Sequence, residues 1–161
     1  MKKLFVLLLG IVLLSLGCIT VQSYTKPDVD FSKIKKIALI KLGAQDASLS
    51  QIVTDELTLV FRKKGFNIIE KEQLKVIIDE NTIIQSGLRE TDRNTLALAG
   101  IDAVFVGAVI MKKESRGDPI ALSLKMFDIK SGVVLWIGKI QVDSNQLDIA
   151  VKRLVNTMPM Q

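Results

Sequence analysis

The sequence predicts an α/β (α+β) fold: a mixed β-sheet with helices packed on its faces, begun by a βαβ unit and finished by an antiparallel C-terminal meander. Between residues 34 and 70, two short β-branched runs flank a longer stretch of helical periodicity, as a crossover between parallel strands requires. Between residues 102 and 143, apolar runs alternate with short polar turns, the pattern of strands that fold back on one another. The tail carries one apolar stripe at helical spacing, which needs another layer to cover it. No repeat or low-complexity segment interrupts this order, and 161 residues suffice for one domain with a core of its own.

Taken in order, "IKKIALIKL" (34–42) reads as a strand with at least one well-buried face. "SLSQIVTDELTLVFRKKG" follows as a helix, with Leu49, Ile52, Val53, Leu57, Val60 and Phe61 on its apolar side. Ser48 or Ser50 is its expected N-cap, Arg62, Lys63 and Lys64 suit its C-terminal dipole, and Gly65 stops it. "FNIIE" (66–70) is the second strand. A second helix is expected over 71–81, with Leu74, Ile77 and Ile78 as its stripe, then a loop around Gly87. A short third helix is expected from Thr91, as N-cap, to Ala99, with Gly100 as its stop. "DAVFVGAVIMKK" (102–113), "IALSLKMFDI" (120–129) and "VVLWIGKIQVD" (133–143) are the strands of the meander. In the middle one, Ile120, Leu122, Leu124 and Met126 share a face. Leu147, Ala150, Val151, Leu154, Val155 and Met158 mark the closing helix.

The N-terminal segment is of another kind. Met1-Lys2-Lys3 precedes an uncharged apolar run that ends in small residues, the pattern of a secretory signal peptide. Read instead as an uncleaved anchor, the 16 residues from Leu4 to Ile19 fall short of the roughly 20 that a spanning helix needs. Ser15-Leu16-Gly17-Cys18 resembles the lipobox of bacterial lipoproteins, in which a small residue precedes the cysteine that is cleaved free and acylated with fatty chains such as palmitate. Ser15 stands where that pattern prefers leucine. Cys18 is the one cysteine of the chain, so no internal disulfide can form. The expected organisation is a signal peptide over 1–17, lipidated Cys18 and a polar tether over 18–33, and a globular domain over 34–161.

Loss of residues 1–17 lowers the basic residues from 22 to 20 against 17 acids, a net charge of +3. The basic clusters at 33–36, 62–64 and 111–113 are interleaved with acids and have little aromatic company, unlike a nucleic-acid surface. With no histidine, the commonest general base and metal ligand is missing. "KLGAQDASLS" has neither dinucleotide-binding nor P-loop glycine spacing. The pairs Asp55-Glu56 and Asp79-Glu80 are sequence neighbours that point to different helix faces. The expectation is no enzyme, no catalytic residue, no cofactor and no metal.

In their order, "GFNIIEKEQL", "LALAGIDAVFVGAV" and "KMFDIKSGVVLW" resemble the curli-secretion lipoprotein family with its CsgG-type domain, which lipoprotein activators of penicillin-binding proteins also share. The resemblance covers roughly residues 34–157; Ser131 and Val133 stand where the family usually has Thr and Glu. It implies a domain that works by protein contact in envelope assembly or secretion, as a subunit or accessory. Alternatives are a periplasmic activator of a penicillin-binding protein and a subunit of a curli-type outer-membrane channel. The expected partners are the membrane, through the lipid, an envelope protein and further copies of the chain, with no nucleic acid. The turns "KKESRGDP" and "KSG" are too short to add strands of about 9–11 residues that could cross a bilayer, so no pore by this chain alone is expected. Ile19, in place of an inner-membrane-retaining Asp, points to the outer membrane, facing the periplasm.

Overall fold

Hydrogen-bonding registers organise the chain into a seven-stranded sheet. The computed structural model describes residues 20–40, 42–69, 89–112 and 118–159. In chain order its elements are β1 (Val21–Thr25), β2 (Lys36–Leu39), β3 (Gly43–Ala44), α1 (Ala47–Lys63), β4 (Asn67–Ile69), α2 (Glu90–Leu98), β5 (Ala103–Met111), β6 (Pro119–Asp128), β7 (Val134–Asp143) and α3 (Leu147–Asn156). The strand order is β1-β7-β6-β5-β2-β4, with β3 paired beside β5. β2 runs parallel to β4 and β5, and β3 runs parallel to β5, while β5, β6, β7 and β1 are antiparallel in turn. The sheet is mixed, as the two sequence patterns require. The helix expected over 71–81 and the loop around Gly87 lie outside the described residues, as does Cys18.

Two glycine-plus-apolar pairs end helices in the same way. At the end of α1, the amide of Gly65 donates to the carbonyl of Arg62 and that of Phe66 to Phe61; at the end of α2, Gly100 donates to Ala97 and Ile101 to Leu96. This double bond pattern needs a left-handed residue between its arms, and Gly65 (φ 88°) and Gly100 (φ 71°) supply it. The apolar residue after each glycine then folds back on the helix: the Phe66 ring meets Phe61 edge-on at 6.0 Å. The other helix ends differ from expectation. Asp46 caps α1, accepting from the Ser48 amide at 2.8 Å, while buried Ser50 donates its hydroxyl to the Leu42 carbonyl. α2 starts at Glu90 with Arg89, not Thr91, in the cap position. Ile52, read as part of the α1 stripe, is 56% exposed.

The main core lies between the sheet and the α1/α3 layer. Phe61 stacks on Phe105 at 4.5 Å, and Trp136 meets Phe105 edge-on at 6.1 Å. Ile120, Leu122, Leu124 and Met126 are buried on this face, as their alternation predicts. Ala150, Val151, Leu154 and Val155 of α3 are fully buried against it. On the opposite face, α2 forms a smaller core, where Leu96 and Ile101 meet Ala38, Ile40, Val104 and Ile129. Asp102 ties the parallel region together by accepting from the amides of Lys35 and Lys36, both at 2.9 Å.

The segment 18–33, read as a free tether, is largely built into the domain. β1 pairs antiparallel along β7, from Val21 opposite Ile140 to Thr25 opposite Trp136. Asp30 then caps a short 3-10 turn, Phe31–Lys33, that buries Phe31. The physical reason is that an edge strand is recruited by the unpaired backbone groups of its neighbour. Gln22, Ser23 and Tyr24 are exposed on β1, so its side chains announce no alternation.

Candidate functional site

Backbone alternation sends one set of side chains from β1, β5, β6 and β7 away from the main core. Register places Ile110, Ala121 and Gln141 in one row, Ala108, Ser123, Lys139 and Gln22 in the next, and Val106, Lys125, Ile137 and Tyr24 in a third. The small α2 core centres on β2 and the start of β5 and reaches only Val106 of the third row. Tyr24 is 55% exposed and Ile110 48%. Because Ala108, Ala121 and Ser123 are small, the surface sinks between the larger side chains around them. The result is a shallow depression of about 440 Å³, reached by Thr20, Gln22, Ile110, Lys139 and Gln141.

The chemistry of this face is set by a few residue types. Its floor is apolar and its polar groups are amides, hydroxyls and ammonium groups. Lys125 and Lys139 are exposed, lie on adjacent strands one row apart, and make no ion pair among the described residues. The nearest carboxylate along the same alternation is Asp143, at the end of β7. Among the described residues, no group of three metal-ligating side chains comes together. Asp55 accepts from Gln51 at 2.8 Å on the outer surface of α1, and Glu56 lies 3.9 Å from Lys152 of α3, so this carboxylate pair serves the helix layer. Trp136 is fully buried, with its indole nitrogen unpaired among the described residues.

The N-terminus enters the fold at this same place. Pairing begins at Val21, and Thr20 lines the depression, so Ile19 and Thr20 alone separate Cys18 from the sheet. At no more than about 3.5 Å per residue, a chain of that length spans at most roughly 10 Å. The ends of β5 and β6 are also paired: the Lys112 amide donates to the Pro119 carbonyl at 3.0 Å. Among the described residues, no helix is long and apolar enough to cross a membrane. Sequence patterns found β5, β6 and β7 of this face but neither β1 nor the exposure of the face, which depends on where the helices of other segments pack.

No family model matches the chain, and no curated protein matches its sequence. Solved structures do match its fold. A PelC dodecamer from Paraburkholderia phytofirmans superposes with a TM-score of 0.61 at 12% identity, over 89% of this chain and 100% of that one. The lipoprotein GNA1162 from Neisseria meningitidis gives 0.55 at 14% identity, over 76% and 94%. The LpoB C-terminal domain from Salmonella enterica gives 0.50 at 13% identity, over 69% and 84%. This chain therefore has the fold of a set of bacterial proteins that includes a lipoprotein.

Proposed function

We propose that this chain is a lipid-anchored protein of the bacterial cell envelope, with a CsgG-type domain that acts by protein contact in envelope assembly or secretion and not as an enzyme. The observation that carries this reading is the position of Cys18, behind a signal-like run and two residues ahead of the sheet edge. Lipidation there holds the domain against its membrane. The fold shared with GNA1162 supports the lipoprotein part, and the lack of histidine and, among the described residues, of any cluster of three metal-ligating side chains supports a binding role. Ile19 after the cysteine favours the outer membrane, facing the periplasm.

The short connection also orders the alternatives. A tether of some 15 residues would reach about 50 Å, but pairing with β7 begins at Val21 and leaves two residues between it and Cys18, so the partner must lie at the anchoring membrane. That weighs against an activator of a wall-building enzyme farther away. The small number of residues between β5 and β6 and between β6 and β7 weighs against a channel subunit that contributes spanning hairpins. A second reading, a homo-oligomer, is favoured by the likeness to a dodecamer and by the two free sheet edges, β1 and β4.

In-cell crosslinking of the full-length protein followed by affinity purification tests both. Recovery of an envelope assembly protein supports the accessory role, and a ladder of self-crosslinks supports the oligomer. A monomer with no crosslinked partner refutes both.

A further inference from the structure

An acyl anchor brings a lipid surface to one part of this molecule, the mouth of the depression on the open sheet face. We propose that this face is a membrane-docking surface that rests on the anionic phospholipid headgroups of the membrane holding the anchor; the proposal depends on the reading of Cys18 as the lipidated residue.

Three features of the face agree on that occupant. Thr20 lines the depression and is two residues from Cys18, so a glyceride attached there is tied within about 7 Å of chain to the face. Lys125 and Lys139 stand exposed on neighbouring strands without ion-pair partners among the described residues, where two phosphates can take them; lysine is a point-charge partner for phosphate. Tyr24 and Ile110, at 55% and 48% exposure, flank these cations. An amphipathic ring and an aliphatic side chain beside ammonium groups match the layered polarity of a bilayer interface.

A second copy fits less well. Two such faces brought together would set the lysines of one against those of the other, with no carboxylate in the three central rows to receive them. A partner strand would seek the sheet edges, where backbone groups are free, and not the face.

The affinity of this contact is modest, because each lysine near an anionic surface contributes only about fivefold in partitioning. It is enough to orient a domain that is already tethered, since the second contact is then intramolecular. It is too little to hold a domain that has no anchor. The α1/α3 layer, with exposed Ile52, Leu59 and Ile149, is then turned away from the membrane.

The test uses the full lipidated protein, with its acyl group verified by mass spectrometry. It is placed in detergent, in phosphatidylcholine vesicles and in vesicles that also contain phosphatidylglycerol. Acetylation of individual lysines is then followed by peptide mass spectrometry. Lys125 and Lys139 should react at least about fivefold more slowly on the phosphatidylglycerol vesicles, with Lys63 of α1 and Lys152 of α3 unchanged. Lys125→Gln together with Lys139→Gln should abolish the matching protection of Tyr24 from nitration, and Lys→Arg at both should keep it. Equal reactivity in all three settings, on a protein that carries its acyl group, overturns the docking surface and leaves the lipoprotein reading intact. Protection in detergent that disappears on dilution assigns the face to a second copy and overturns it too. An unmodified Cys18 removes the basis of both.

Discussion

Gly107 and Gly138 are required by what surrounds them. A Cβ at Gly107 would lie 2.5 Å from the Ser123 carbonyl oxygen and 2.6 Å from the Leu124 side chain. At Gly138 it would strike the Trp136 ring and come within 2.7 Å of Leu154, so the indole lies across the bare backbone of its own strand. Gly107→Ala should cost about 1–3 kcal/mol, read from denaturant midpoints at constant slope, because a backbone carbonyl on the neighbouring strand cannot swing aside. The nearest atoms that exclude a side chain come from β6 at Gly107, and from Trp136 and α3 at Gly138, so neither requirement shows in the sequence. Cys18 is the reverse case, a residue whose expected acylation rests on local pattern alone. Cys18→Ser should block acylation and leave residues 1–17 attached, as intact-mass measurement would show; a wild-type protein with a free thiol would refute the lipidation reading.

At the scale of elements, β1 and α3 make opposite points. β1 was not legible, because its side chains are polar and exposed and only the free backbone of β7 selects it. Removing residues 19–33 should therefore lower the melting temperature, since it strips β7 of its partner and uncovers the site of Phe31; an unchanged melting curve would return the segment to the status of a tether. α3 was legible in full, from its 3.6-residue stripe. Leu154→Ala should cost about 2–5 kcal/mol, and deletion of residues 145–161 should leave the domain unfolded or molten, as near-ultraviolet circular dichroism would report. Its first turn adds a pH effect. Hydrogen bonding to the Ile149 amide, and then to Lys152, holds the Asp148 carboxyl below the usual carboxylate range. A lowered folded-state pKa gives stability that is present above the ordinary value and lost as the pH falls through the folded one. Asp148→Asn should thus melt earlier than the parent at neutral pH, with the two curves converging in acid.

For the whole molecule, the expected behaviour is a domain that is held at a membrane without perforating it. Protein lacking residues 1–18 should remain soluble without detergent, because the open face alone binds lipid weakly. Lipidated protein added to dye-loaded vesicles should leave them tight. Rapid leakage, with discrete conductance steps in planar bilayers, would overturn this and restore a pore.

The βαβ start, the three strands of the meander, the inward face of β6 and the stripe of α3 were determined by the sequence alone, since each rests on a period within a few residues. The recruitment of β1, the choice of Asp46 over Ser48 as a cap, the exposure of Ile52 and the open face of the meander were decided only by the tertiary structure. These depend on which surfaces distant segments leave uncovered. A strand records its two faces in its own alternation, but whether the second face meets a helix or the solvent is settled by elements far away along the chain.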